Sequence, residues 1–269
     1  MCIRDSDGNH GDNKSDGAIL LTETRSLSAM VAVLQSMALS SPETVADSKR
    51  RFYNAYPHVI PGLYRRFVDE LLVELHLLAG QAGFNADSLF AMGLTQVFDN
   101  LMQGLKPVER REELFAAICS ASGLKADQMR KDAKQLREQL VPHGEVEIKT
   151  WIDQQGEGAP DVLKRVLQQA GRSDFHYSRL HAVGLMGLLQ DLGGGDDQDP
   201  QALQERAHQL GHSMGLQKEK LQKDMGLYAS NLEKMAQAVE LLEETVAAER
   251  RKREPVSYTH LTLPTICSV

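Results

Sequence analysis

The most constraining feature of this sequence is a long stretch near its C-terminal end that no proline interrupts. Between residues 217 and 254, apolar side chains recur at spacings that alternate strictly between four and three residues. This pattern predicts one helix about 55 Å long whose apolar residues form a heptad seam. The seam has Leu221, Tyr228, Met235 and Leu242 at its d positions and Met225, Leu232, Val239 and Val246 at its a positions.

Two interpretations of the seam stay open at this point. It can pack back onto its own domain, or part of it can pair with another chain.

After Val246 the apolar spacing ends and the basic run Arg250, Arg251, Lys252 and Arg253 follows. We therefore expect the last turns to project beyond the packed body as a charged end. The basic residues also suit the negative C-terminal end of a helix dipole.

The rest of the body is predicted to be helical as well. Leu, Ala, Glu, Gln and Lys dominate while aromatic residues make up only 5%, a bias that favours helix over sheet. One segment, AVGLMGLL at 182–189, is apolar on every side, which indicates a buried helix. Gly184 and Gly187 would let neighbouring backbones approach it closely. The predicted fold is all-α: a multi-helix globular bundle with a buried central helix and a long C-terminal coiled-coil-like helix.

The two ends differ from the body and resemble translated cloning or adapter sequence. We expect residues 1–45 to be a disordered leader, partly non-native, in which Met37 is a possible start. A cleaved or read-through leader is the alternative. Residues 46–254 are predicted to form a single all-helical domain that includes the terminal helix 217–254, and 255–269 a non-native tail. The body keeps one cysteine, Cys119, so no intrachain disulfide is expected there and a reducing compartment fits.

No nucleotide-binding or catalytic motif is found, so we predict a protein that is not an enzyme and holds no cofactor, metal or small-molecule substrate. A metal enzyme that uses Glu70, Glu74 and His76 is a weaker alternative, because their offsets do not match a di-metal bundle. The net charge of −7 argues against nucleic acid. Local basic residues can still contact an anionic partner or lipid, and the candidates are Arg50, Arg51, Arg65, Arg66 and the 250–253 run.

Five blocks of the body, taken in order, resemble one protein family. They are SKRRFYNAY, LYRRFVDELLVELHLL, FAMGLTQVFDNLMQGL, FHYSRLHAVGLMGLL and LYASNLEKMAQAVELLEETVAAERRKRE. Together they look like the thylakoid formation proteins, also called photosystem II biogenesis proteins, of cyanobacteria and chloroplasts. The resemblance runs from about Asp47 to Glu254 and contains no catalytic motif. The loop GGGDDQD departs from the family pattern.

This resemblance implies a role in thylakoid biogenesis and in the assembly and repair of photosystem II. It implies an accessory factor, not an enzyme, that acts as an adaptor for an FtsH-type membrane protease or another thylakoid protein. The implied location is peripheral, on the cytoplasmic (stromal-equivalent) face of the thylakoid membrane, with a soluble pool in the cytoplasm. The alternative function is a lipid-binding, membrane-shaping protein that uses its basic helix ends.

Overall fold

The computed structural model describes residues 43–193 and 199–253. Within these two ranges every regular element is a helix and no strand occurs, which confirms the predicted all-α class. The predicted tail, most of the predicted leader and the centre of the glycine-rich loop lie outside the described residues. The α-helices are α1 Val45–Ala55, α2 Gly62–Ala79, α3 Ser88–Leu101, α4 Glu109–Ala121, α5 Ala126–Leu140, α6 Gly144–Asp153, α7 Asp161–Ala170, α8 Arg179–Leu192, α9 Pro200–Ser213 and α10 Lys218–Arg253.

Three of these helices begin at a side chain that accepts a hydrogen bond from the first turn, as N-cap residues do. Asp87 accepts from the Phe90 backbone N–H at 2.8 Å ahead of α3. Asp199 accepts from the Gln201 N–H at 3.1 Å, and Pro200 then opens α9. Ser178 caps α8. These short polar residues fix where α3, α8 and α9 start.

Two buried helices, α3 and α8, cross at the centre of the fold. They touch through glycine: a Cβ atom added at Gly93 would lie 1.8 Å from the Leu180 carbonyl oxygen. A Cβ added at Gly184 would lie 2.2 Å from the Leu89 carbonyl oxygen. No side chain fits between the backbones here, so both glycines are required for the crossing.

The predicted central helix is therefore confirmed as α8, whose residues from Leu180 to Leu189 are all buried. Sequence analysis did not identify α3 as its equally buried partner. Gly187 also serves a close approach, although its neighbour is a side chain: a Cβ there would overlap the Gln96 carboxamide. Gln96 in turn donates a hydrogen bond to Gln190 on α8 at 2.9 Å.

The other helices surround this pair in one continuous apolar core. Helix α1 packs on α2 and α4, while α5 lies against α3 and α4. Helices α9 and α10 pack against α8 and against each other. The alternating segment EVEIKTW forms helix α6, with Ile148, Trp151 and Ile152 buried on one side. The result places α2 and α10 at the surface, where the candidate site lies.

Candidate partner-binding surface

The basic residues predicted on α1 have different environments. Arg51 donates hydrogen bonds to the Ala121 carbonyl oxygen at 2.7 Å and to the Ser48 hydroxyl at 3.2 Å. It therefore binds the C-terminal end of α4, where a cation is favoured by the helix dipole. Arg50 is exposed and pairs with Asp47 on its own helix. The structure thus gives Arg51 an internal contact and leaves Arg50 on the surface.

Arg65 and Arg66 lie in a shallow open depression along the exposed side of α2, which we name the α2 groove. Its walls come from α1 and from the start of α8, and its apolar residues lie in the C-terminal half of α2. Leu77, near the end of α2, is 56% exposed even though it is a large apolar residue. The groove is lined by Lys49, Gly62, Arg65, Arg66, Asp69, Glu70, Val73, Glu74, Leu77, Leu78 and Arg179.

Most charges in the α2 groove are neutralised within the chain. Three ion pairs with N–O distances below 3 Å cross or follow it: Lys49–Asp69, Arg66–Glu70 and Arg179–Glu74. All are at least partly exposed, so each contributes only about 0–1 kcal/mol to stability. Their main effect is to leave the groove nearly neutral although it contains four cations.

These contacts also account for the residues of the metal hypothesis. Glu74 binds Arg179 and accepts from the Ser178 hydroxyl, while Glu70 pairs with Arg66. His76 Nδ1 is 2.7 Å from the Ser48 Oγ. Within residues 43–193 and 199–253, no three His, Cys, Asp or Glu side chains are placed to hold one metal ion. The structure thus gives each of the three side chains a partner within the chain.

The α2 groove continues into a narrow crevice beside α10. Glu70 and Arg179 line both depressions, so the two surfaces meet at these two side chains. On the α10 side the crevice is lined by Leu227 and Asn231, and Leu227 is exposed. The exposed side of α2 and one flank of α10 therefore form a single surface. We name this the α2–α10 surface.

The seam of α10 runs from the core out to solvent. Leu221, Met225 and Tyr228 are buried, whereas Leu232, Met235 and Val239 are half-buried against the body. Val239 still touches the body, since a Cβ at Gly104 would meet its methyl groups at 3.0–3.1 Å. Leu242 and Val246 are 48% and 44% exposed. The seam therefore leaves the body before Val246, earlier than the sequence pattern predicted.

Two tyrosine hydroxyls, one buried and one half-buried, hold the first half of α10 in place. Asn100 on α3 donates to the Tyr228 hydroxyl at 2.9 Å, and Tyr177 donates to the Asp224 carboxylate at 3.0 Å. Burial raises the pKa of Tyr228 to about 12. Burial, with the Asp224 carboxylate as a second cause, also raises the pKa of Tyr177. Both hydroxyls remain protonated near neutral pH and keep their roles as donor or acceptor.

The last turns of α10, residues 240–253, are named the arm. Leu241 is 66% exposed, and Leu242 and Val246 are the next apolar side chains along it. Lys106 reaches Glu243 at 3.5 Å, a weak exposed contact between the body and the start of the arm. Beyond it Arg250, Arg251 and Lys252 are exposed. The arm therefore offers apolar side chains followed by positive charge.

Comparison with known proteins identifies the family. The sequence model described as thylakoid formation protein matches residues 44–256. This chain belongs to the thylakoid formation protein family. It is similar to Protein Thf1 of Prochlorococcus marinus (strain MIT 9313), with 51% identity over 217 residues that cover 80% of this chain and 89% of that protein.

Other members of the family agree with this assignment. Protein Thf1 of Parasynechococcus marenigrum (strain WH8102) is 43% identical over 218 residues, which cover 80% of this chain and 94% of that protein. The solved structure of Psb29 is 36% identical, with a TM-score of 0.68 over 79% of this chain and 99% of that chain. The predicted family and the predicted fold are both confirmed. The family is named for thylakoid formation and not for an enzymatic activity.

In this member of the thylakoid formation family, the described helices of residues 43–193 and 199–253 include none with both the length and the apolar character to cross a membrane.

Sequence analysis missed Leu77, Leu227 and Arg179 as surface residues of interest. Leu77 and Leu227 carry a weak signal, since each interrupts the polar side of an amphipathic helix. Arg179 carries no such signal, because only its ion pair with Glu74 on α2 brings it to the groove.

Proposed function

We propose that this protein is a non-enzymatic accessory factor that binds a thylakoid membrane protein complex from the membrane surface. In detail, it would serve photosystem II assembly and repair as an adaptor for an FtsH-type membrane protease. The observation that supports binding as its mode of action is the arm, where Leu241, Leu242 and Val246 remain exposed at the end of a helix whose base is buried. Exposed apolar side chains grouped in this way are typical of interaction surfaces.

The positive end of the arm supports a contact at or near the membrane. Each Lys or Arg close to an anionic membrane surface contributes about 1 kcal/mol of attraction. Arg250, Arg251 and Lys252 are exposed and are followed by Arg253 in the sequence. A second candidate function is therefore direct lipid binding, in which the same residues hold the arm on the bilayer without a protein partner.

A charge-reversal experiment tests both functions. Arg250→Glu with Arg251→Glu would be introduced into the full chain in a cyanobacterium, and recovery of the membrane protease with the tagged protein would be measured. We expect recovery to fall several-fold while the melting temperature stays within about 2 °C, since exposed charges contribute little to stability. The matched control is Lys131→Glu with Lys149→Glu, two exposed lysines outside the α2–α10 surface.

The two functions differ in what the purified protein binds. If the adaptor function is right, salt-washed membranes retain the protein only when the protease is present, and protein-free anionic vesicles do not bind it. If direct lipid binding is right, the vesicles bind it and salt releases it. Equal loss of recovery in the control variant, or unfolding of the arm variant, would contradict both.

A further inference from the structure

The α2 groove has the chemistry of a docking site for a helix. A helix bound there would supply a contact surface for the adaptor function proposed above, on which this inference rests. We propose that it binds an amphipathic helix of a partner protein. This helix would place a carboxylate on Arg65 and apolar side chains on Val73 and Leu77. Helix-in-groove binding of this kind is a recurrent mode of recognition.

Arg65 is the cation of the groove whose charge is available. Lys49, Arg66 and Arg179 each pair with a carboxylate of the chain. Among the described residues no hydrogen bond or ion pair engages the Arg65 side chain, and Arg65 is exposed. It lies in the first turn of α2, where the positive end of the helix dipole adds to its attraction for an anion. A carboxylate of the partner therefore fits this end.

The apolar part of the groove lies towards the other end of α2. Leu77 is more than half exposed and Val73, one turn before it, is half-buried. Twelve residues separate Arg65 from Leu77 along the helix, which corresponds to about 18 Å. A partner helix of about 12 residues spans that distance. One acidic residue near one end and an apolar stripe towards the other would match the groove.

The charge balance favours a protein helix over a lipid surface. Three of the four cations in the groove are already neutralised by Asp69, Glu70 and Glu74, so an anionic bilayer would meet little net positive charge there. A highly charged partner would also compete with these ion pairs. A helix with one carboxylate and an apolar face leaves them intact and still buries Leu77.

The test is site-specific photocrosslinking in cells. Benzoylphenylalanine would replace Leu77 in the full chain, and its crosslinked peptides would be identified by mass spectrometry. We expect one partner peptide with helical apolar spacing and an Asp or Glu near one end. Adding Arg65→Glu should lower the crosslinking yield by at least about fivefold, the size expected from loss of one charge-assisted contact, and Arg65→Lys should largely preserve it.

The matched control places benzoylphenylalanine at Val146, which is 82% exposed on α6 and does not line the groove. Crosslinks mainly to lipid, a yield at Leu77 no higher than at Val146, or no effect of Arg65→Glu would overturn the proposal. If Arg65→Glu lowers the melting temperature, Arg65→Gln replaces it.

Loss of protease recovery with an intact Leu77 crosslink to another protein would overturn the adaptor function alone. Normal recovery of the protease without the crosslink at Leu77 would overturn the docking proposal alone.

Discussion

Apolar residues are used differently in two regions of the molecule, the crossing of α3 with α8 and the long helix α10. At the crossing, Gly93 and Gly184 bring two backbones into contact, so both helices are enclosed on nearly every side. In α10 an apolar seam of regular spacing begins in the core and ends in solvent. The difference shows that a regular apolar pattern does not fix burial, because burial also requires a surface to pack against.

The largest effect is expected at the crossing. Gly93→Ala would place a methyl group 1.8 Å from the Leu180 carbonyl oxygen and 2.9 Å from the Gly184 nitrogen. The two central helices must move apart, so the free energy of unfolding should fall by about 3 kcal/mol or more. Urea denaturation followed by circular dichroism measures this loss. A change below 1 kcal/mol would show that the helices do not touch at this point.

A large difference is also expected between the two ends of the α10 seam. Leu221→Ala removes a side chain that is fully buried and should lower the free energy of unfolding by about 2–5 kcal/mol. Leu242→Ala makes the same chemical change at a half-exposed position of the same seam. We expect it to cost under about 1 kcal/mol. Equal losses in thermal unfolding would mean that the arm packs on the body.

The buried hydroxyl of Tyr228 should make stability depend on alkaline pH. Its pKa is about 12 in the folded chain and ordinarily 10, so between these values the folded state holds a proton that the unfolded state has lost. This contribution is complete below pH 10 and is lost as pH rises through 12, by up to about 1.4 kcal/mol per pH unit.

Tyr228→Phe is the variant that isolates this effect. It should be less stable than the parent at pH 8, since Asn100 loses its acceptor, at a cost of about 1–2 kcal/mol. Its stability should then fall less steeply between pH 10 and 12. Parallel curves for variant and parent would show that Tyr228 does not control the alkaline limit. Tyr177, whose pKa is also raised, still adds its own slope in both chains.

The smallest effect is expected at the glycine of α10. Gly226 is exposed and nothing lies within 4 Å of an added Cβ, so Gly226→Ala meets no obstacle. Alanine has the higher helix propensity, and the variant should gain up to about 1 kcal/mol. This is the matched control for Gly93→Ala, because the same substitution should change sign between the two helices. Destabilisation at Gly226 would indicate a contact that the fold does not show.

The sequence predicts basic contact residues, and their role as contacts stays a prediction. Arg65 and Arg66 were identified as candidate contacts, and the structure places them together in the α2 groove. Arg51 was identified for the same reason, but its hydrogen bond to Ala121 depends on α4 being adjacent. Leu77 was missed, because exposure of a leucine in an amphipathic helix depends on which neighbours cover it.

The sequence by itself determined the helical class, the buried character of α8 and the family. These follow from local information: propensity, the spacing of apolar residues, and blocks of residues that stay in order. Only the tertiary structure decided that α3 is the partner of α8, where the seam of α10 leaves the body, and that Arg179 joins α2 at the groove. These features depend on contacts between segments far apart in the chain, which no local pattern specifies.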